Sequence, residues 1–289
     1  MTADLSILGL GTMGGRVATT AVGAGLNVVG YDPVTNARES AGDGGVAIAG
    51  SAEECASSAP LVIVSVPNPE HITELAHGAL TSCSPGTSVF DLSTIDPMTA
   101  RDAAKGLSEH GVTYLDAPVL GRPDKVGNWT LVVGGDKQAI VDATPLLQRV
   151  AAANVVRVGD TGSGSVVKLL NNLMFGAINA VTAEAVALCR DNDVDPGVFV
   201  DTVAGSGAAT VSNLFRELAP RIVSGDDDPV FAMNLLAKDN RLAAELAKAS
   251  GTRAPIAEAV NALNAEAVGL GFGARDSGAV YRTYDGGQA

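Results

Sequence analysis

Leu5-Ser6-Ile7-Leu8-Gly9-Leu10-Gly11-Thr12-Met13-Gly14 decides how this chain begins to fold. Residues 4–8 read as a short buried strand. A helical pattern follows the glycines to about residue 24, and a second strand over 27–31 ends at Asp32. This is G-x-G-x-x-G in its proper setting, with a strand before it, a helix after it and an acidic residue about 20 positions on. Gly9 permits a tight turn, Gly11 lets the backbone approach a pyrophosphate, and Gly14 lets helix and strand pack closely. The N–H groups and positive dipole end of the helix face the phosphates. Leu10, Thr12 and Met13 complete the loop, which predicts a dinucleotide site.

Asp32 bears on the choice of dinucleotide. A carboxylate there accepts from the ribose 2′-OH of NAD and repels the 2′-phosphate of NADP. The next basic residue, Arg38, is six positions on. NAD is therefore the expected cofactor, with NADP as the alternative.

Strand and helix signals keep alternating. Strands are expected over 46–48, 61–66, 87–92, 112–115, 129–133 and 155–158, and helices over 51–58, 69–80, 97–110 and 136–150. Such alternation implies a parallel sheet covered on both faces, with ligands beyond the carboxyl ends of the strands. The loops there are 9–14, 32–33, 66–68, 92–94 and 118–125. Ser93 and Thr94 either bond a ligand or cap the next helix.

The second half reads differently. From residue 165 to 191 there is no proline and only one glycine, which predicts a helix on the order of 40 Å long. Helical patterns follow over 196–204, 210–223, 231–250 and 254–270. The run 238–241 places four polar residues in an apolar context, for which a helix surface patch is the plain alternative, and the tail over 269–287 reads as glycine-rich and irregular. The division expected is a nucleotide-binding domain over 1–161 and a helical substrate and dimerisation domain over 162–289.

The chain has 289 residues, 46% of them hydrophobic and 18% charged, with a net charge of −13. That balance supports a buried core and argues against nucleic acid or an anionic membrane as partner. No leader-like segment stands at the start, and no apolar run is expected to approach the roughly 18 residues of a membrane span. A cytoplasmic location is expected. Cys55, Cys83 and Cys189 are far apart, and His71, His77 and His110 form no ligand motif, so neither disulfides nor a metal are expected.

If NAD binds the first domain, hydride transfer from a hydroxyl carbon needs a group to take the hydroxyl proton. No histidine lies in the second half, and Tyr-x-x-x-Lys is absent. Attention falls on Gly162-Ser163-Gly164-Ser165-Val166-Val167-Lys168-Leu169-Leu170-Asn171-Asn172. Lys168 and Asn172 are one helical turn apart on one face. An exposed polar stripe would look the same. As a site, Lys168 in apolar surroundings would have its pKa lowered by desolvation and shuttle a proton near neutral pH. Asn172 would hold the substrate oxygen or carboxylate.

The motifs Gly9 to Gly14, Asp91-Leu92-Ser93-Thr94, Asp116-Ala117-Pro118-Val119, Gly134-Gly135, Gly162 to Asn172 and Lys238-Asp239 together resemble the β-hydroxyacid dehydrogenase family. That family includes 3-hydroxyisobutyrate dehydrogenase, tartronate semialdehyde reductase and 6-phosphogluconate dehydrogenase. The resemblance runs in order from about residue 5 to 280. It implies a Rossmann-type parallel-sheet domain joined by a long helix to an all-helical domain, in a homodimer or homotetramer. It implies Lys168 as general acid/base and Asn172 as a substrate ligand, for a small anionic or polar hydroxy or carbonyl compound. Gly9 to Gly14, Asp32, Val66, Pro67 and Thr94 would contact the cofactor, Thr94 also the substrate, and Lys238 would reach the cofactor from the helical domain.

One departure stands out. After Asp-Ala-Pro-Val the family usually has Ser-Gly-Gly, gripping the substrate carboxylate. Here Leu120-Gly121-Arg122 follows. Gly121 stays as a backbone ligand, and Arg122 is expected either to pair with an anionic or polar group of the substrate or to face solvent or the cofactor. Two other classes fit the fold: an imine reductase and a non-catalytic dinucleotide-binding protein. Imine reductases resembling this family usually replace the lysine, and a protein without activity would not need it, so Lys168 favours the dehydrogenase.

Overall fold

The computed structural model describes residues 3–207 and 210–284. The chain divides into two compact units, one up to Lys168 and one from Leu169 on.

The first unit is built on β1 (Leu5–Leu8), β2 (Val28–Tyr31), β3 (Ala47–Ile48), β4 (Leu61–Val64), β5 (Ser88–Asp91), β6 (Thr113–Asp116), β7 (Val119–Leu120), β8 (Trp129–Gly134) and β9 (Ala152–Gly159). The order β3-β2-β1-β4-β5-β6 is parallel throughout. The far side departs from the expected all-parallel sheet. β8 runs antiparallel to β6 and to β7, while β9 pairs with β8 in parallel. The 117–128 segment contains no helix long enough for a parallel crossover, so β8 can only return alongside β6. The two-residue β7 was not anticipated. It continues β6 past Pro118 along the same edge of β8.

Six helices cover the sheet: α1 (Gly14–Gly23), α2 (Thr35–Asp43), α3 (Ala52–Ala56), α4 (Pro69–His77), α5 (Pro97–Ser108) and α6 (Lys137–Val150). Side chains alternate between the two faces of each strand. Leu5, Ile7, Ile63, Phe90 and Leu115 enter one core with Val17, Ala21, Ile140 and Leu147. Leu8, Val62, Val64, Val89 and Tyr114 enter the other with Ile72, Ala103 and Leu107. Cys55 and Cys83 belong to this second core as thiols, pushed by burial up to about 12 and about 11.

α7 (Ser163–Asp191) begins in the first unit and continues into the second. By length and mean hydropathy, 1.4 over its most apolar window, it is long and apolar enough to cross a membrane. The core helix of a globular protein passes the same test, and α7 buries Asn172, Asn179 and Thr182. The second unit adds α8 (Pro196–Ser206), α9 (Asn213–Ser224), α10 (Met233–Ser250) and α11 (Pro255–Ala267). Its core gathers Ala183, Val186, Phe215, Leu218, Ile222, Met233 and Val280. The tail is more ordered than its glycines suggested. A π-helical turn (Val268–Phe272) and a 3-10 helix (Ser277–Thr283) follow α11, and residues 277–281 are buried. Asp276 holds this tail through the backbone N–H groups of Val230, Phe231 and Gly278.

Candidate active site

The glycine loop takes up the turn between β1 and α1. Gly9 has φ +93°, and a Cβ there would run into the Ser65 carbonyl oxygen. A Cβ at Gly14 would run into the Gly9 carbonyl oxygen. Gly11 has no heavy atom within 4 Å of where its Cβ would be. Two glycines therefore close the turn, and the third leaves its backbone open to a ligand. No acidic residue stands in the first turn of α1, so its dipole faces the loop uncompensated. These features fit a pyrophosphate.

Asp32 lies at the end of β2 and is buried. Its carboxylate accepts from Leu10 N and Val34 N, both at 2.8 Å, which ties the glycine loop to the second strand. Each carboxylate oxygen keeps further acceptor capacity. Arg38 was passed over in the sequence as too distant. Its guanidinium folds back to the Asp32 carbonyl oxygen at 2.6 Å and lies 5.9 Å from the Tyr31 ring centroid. One turn of α2 brings it there, so the cation absent next to Asp32 in sequence is present there in space.

Hydrogen bonds fix the next two loops to each other. Ser93 Oγ accepts from Val66 N at 2.9 Å. Asp91 accepts from Ser93 N at 2.8 Å and from the Tyr114 hydroxyl at 2.6 Å. This places Val66-Pro67 and Thr94 side by side at the strand ends. Ser93 does not cap α5; its Oγ ties the 92–94 loop to the 66–68 loop. Asp96 caps α5, accepting from Met98 N and Thr99 N. Burial pushes the Asp91 carboxyl up to about 6, against these hydrogen bonds, and raises Tyr114 well above the usual phenol range.

Asp116 organises the start of α7. Its carboxylate accepts from Gly162 N and Ser165 N, each at 2.7 Å. Burial raises its pKa and the backbone N–H groups lower it, with burial the larger. Gly134 and Gly164 allow this approach: a Cβ on Gly164 would sit 2.5 Å from the Asp116 carbonyl oxygen, and one on Gly134 2.5 Å from Asp116 Oδ1. The signal for Asp116 lay in the Asp-Ala-Pro-Val motif, but its role as a helix anchor could not be read from spacing.

From this anchored turn the half-buried Lys168 donates from Nζ to the Val119 carbonyl oxygen at 2.7 Å. Val119 opens the short arm that carries Leu120, Gly121 and Arg122. Trp129, wholly buried, braces the arm. Its Nε1 donates to the Arg122 carbonyl oxygen at 2.7 Å, and its indole packs so close to Gly121 that a Cβ there would overlap it. The Arg122 residue is exposed. Lys168, Gly121 and Arg122 are thus brought to one short segment.

In the helical unit Asn172 is buried and donates to Asp239 Oδ2 at 2.6 Å, while its Oδ1 accepts from Asn171 at 3.0 Å. Lys238 Nζ lies 3.0 Å from Asp239 Oδ1, an ion pair outside hydrogen-bond alignment. Asp239 thus serves both Asn172 and Lys238. The surface-patch reading of 238–241 is corrected: Asp239 and Asn240 are buried, and Arg241 is the exposed member. Among the described residues, no three His, Cys, Asp or Glu side chains form a metal-holding group.

Comparison with known proteins identifies the family. Residues 4–159 match the NAD-binding domain of 6-phosphogluconate dehydrogenase, and residues 162–284 match the corresponding NAD-binding family of NADP-dependent 3-hydroxyisobutyrate dehydrogenase. The chain belongs to the β-hydroxyacid dehydrogenase family. It is 32% identical to an NAD-dependent L-serine dehydrogenase of Pseudomonas aeruginosa, over 98% of both chains. It is 31% identical to an L-threonate dehydrogenase of Cupriavidus necator, over 99% of this chain and 97% of that one. A solved Mycobacterium tuberculosis 3-hydroxyisobutyrate dehydrogenase with L-serine superposes with a TM-score of 0.89 at 29% identity, covering 98% of this chain and 99% of that one. The chain is therefore a nucleotide-dependent oxidoreductase of this family.

Proposed function

We propose that the protein oxidises a small carboxylic acid carrying a hydroxyl on its β carbon, and reduces the matching carbonyl compound, with NAD as the favoured dinucleotide. The observation that carries this reading is the Lys168 Nζ held 2.7 Å from the Val119 carbonyl oxygen, beside the Gly121-Arg122 arm. L-serine and L-threonate, named for two relatives, share a carboxylate and a β-hydroxyl, as does 3-hydroxyisobutyrate. Which such acid this chain takes is set by Leu120, Gly121 and Arg122.

The bound nicotinamide would supply a hydride acceptor for the substrate carbon. The chain's own residues do the rest. Gly9, Leu10, Gly11, Thr12, Met13 and Gly14 would hold the pyrophosphate and Asp32 the ribose. Val66, Pro67, Thr94 and Lys238 would contact the remainder. Neutral Lys168 Nζ takes the hydroxyl proton as the carbonyl forms, and its ammonium returns that proton in reduction. The Val119 carbonyl aims the amine. Asn172 has two amide N–H groups, one given to Asp239, and the second meets the substrate oxygen. Gly121 N–H and the Arg122 guanidinium meet its anionic group.

The test is NAD reduction across short β-hydroxy acids by wild type and Lys168→Ala, with a parallel panel of carbonyl compounds and cyclic imines assayed for NADH oxidation. Turnover lost in the variant while NADH still binds supports the reading. Turnover of imines alone, or turnover independent of Lys168, overturns it. Arg122→Ala with unchanged kcat/KM on the preferred acid would remove Arg122 from the site.

The helical unit also supports self-association. Leu170, Met174, Val181 and Leu188, each about half exposed or more, form one apolar stripe along α7. A homodimer covering this stripe is the proposed assembly, and light scattering on the purified protein measures it.

A further inference from the structure

Behind Asn172 the helical unit contains polar groups that the proposed chemistry does not use. Asn179 and Asn240 are wholly buried and Asn264 is 1% exposed. Among the described residues, both side-chain amide atoms of all three have no hydrogen-bond partner in the protein. Leaving a buried amide group unsatisfied is destabilising, so these six atoms need partners.

Asn240 meets α7 at Gly176, and helix direction places the other two nearby. A Cβ on Gly176 would fall on Asn240 Nδ2 and 2.8 Å from Val260 Cγ1, so α7, α10 and α11 meet there. Asn172 bonds Asp239, and Leu169 packs with Leu242 and Ala243, so residue numbers rise along α7 as they fall along α10. The two helices are antiparallel. α11 turns back from α10 after a short connection and so runs with α7. Asn179 lies about one turn past Gly176 and Asn264 one turn past Val260, which puts both amides in the next layer. Apolar residues close the ends: Leu169, Leu242 and Ala243 on one side, Ala183, Val186, Met233 and Ala267 on the other. The result is a polar layer enclosed in an apolar bundle.

We infer that this layer is an internal hydration site, in which ordered water molecules bond the amides of Asn179, Asn240 and Asn264. Buried water makes about three hydrogen bonds to groups of this kind and is a fixed part of native structures. A neutral carboxamide offers two donors and an acceptor, so a few waters among three such groups satisfy one another as well as the protein. The layer adjoins Asp239 in sequence and Asn172 by one turn of α7, so its water lies behind the Asn172–Asp239 pair, of which Asn172 is proposed to meet substrate. The inference stands apart from the choice of substrate and from the oxidoreductase reading.

A high-resolution crystal structure of the full-length wild-type protein tests it without any variant. The expected result is water density within about 3.2 Å of at least two of the three amides. In solution, oxygen-17 relaxation dispersion should show long-lived internal water, with at least one such molecule lost in Asn264→Leu. Asn179→Ser, which keeps a polar group, is the second variant if the first fails to fold, and it should retain the signal. Amides bonded directly to one another or to backbone carbonyls, with no water between them, would overturn the inference.

Discussion

The Asp116 carboxylate accepts from the backbone N–H of Ser165 at 2.7 Å, so the end of a strand holds the first turn of the helix that carries Lys168. A second bond, from Gly162 N at the same distance, fixes the direction of that turn. Asp116→Asn keeps the shape but turns one acceptor into a donor facing an N–H group. It should cost about 1–3 kcal/mol of stability. It should also lower kcat on the order of tenfold to a hundredfold through displacement of Lys168, with the KM for dinucleotide nearly unchanged. Steady-state kinetics and thermal melts check both. A fall in stability with kcat unchanged would show that Lys168 is positioned by other contacts.

Asp91 governs a pH effect whose sign is opposite to that of a paired surface carboxylate. Burial raises its folded pKa to about 6, from an ordinary 3.8. Between those values the folded state binds more protons than the unfolded chain. The contribution of Asp91 is therefore fully favourable below pH 4 and is lost as pH rises through 6. Asp91→Asn should flatten the dependence of unfolding free energy on pH between about 4 and 6. Denaturant unfolding at a series of pH values measures the slope. An unchanged slope would place the titration elsewhere.

Cofactor choice turns on Asp32 and Arg38 together. Replacing Asp32 with Ser removes the charge that repels a 2′-phosphate and leaves the Arg38 guanidinium beside it. The ratio of kcat/KM for NADP over NAD should rise by about tenfold or more, equivalent to about 1.4 kcal/mol. Adding Arg38→Ala should reverse much of that gain. The double variant compared with the two singles measures the coupling.

Two glycines make opposite predictions. Gly164→Ala sets a Cβ against the backbone oxygens of Val132 and Asp116, which cannot rotate away. It should destabilise the fold by about 1–3 kcal/mol or more. Gly11→Ala meets no atom within 4 Å. It should leave the melting temperature nearly unchanged and weaken dinucleotide binding, as read by NADH fluorescence titration. A destabilised Gly11→Ala would mean that the glycine serves packing.

The parallel half of the sheet was legible because its signals are local. Alternating side chains, glycines in a strand-to-helix turn and capping residues all act within a few positions. The return of β8 beside β6 was not, because strand direction depends on what the 117–128 segment can span. The helical unit was legible in outline from its helical periodicity and glycine breaks. The burial of its Asp239 and Asn240 was not, since a polar run on a helix looks the same facing a core as facing water. Lys168 drew attention in the sequence because it is an isolated cation in an apolar helix. Asp116, which anchors it from far along the chain, and Arg38, which folds back to Asp32, required coordinates.

α7 has a practical consequence for anyone who wishes to take the protein apart. The boundary between the compact units falls between Lys168 and Leu169, inside an unbroken 29-residue helix. A gene truncated there would end in fewer than two helical turns. Such a stub is short of the dozen or so residues that an isolated helix needs to persist in water. Its terminal residue would be the proposed catalytic lysine, frayed and misaimed. A nucleotide-binding fragment could then be soluble, folded and catalytically silent for a reason unrelated to its nucleotide pocket. The lysine depends on the helix continuing beyond it, and exchanging halves between relatives requires a junction well away from it.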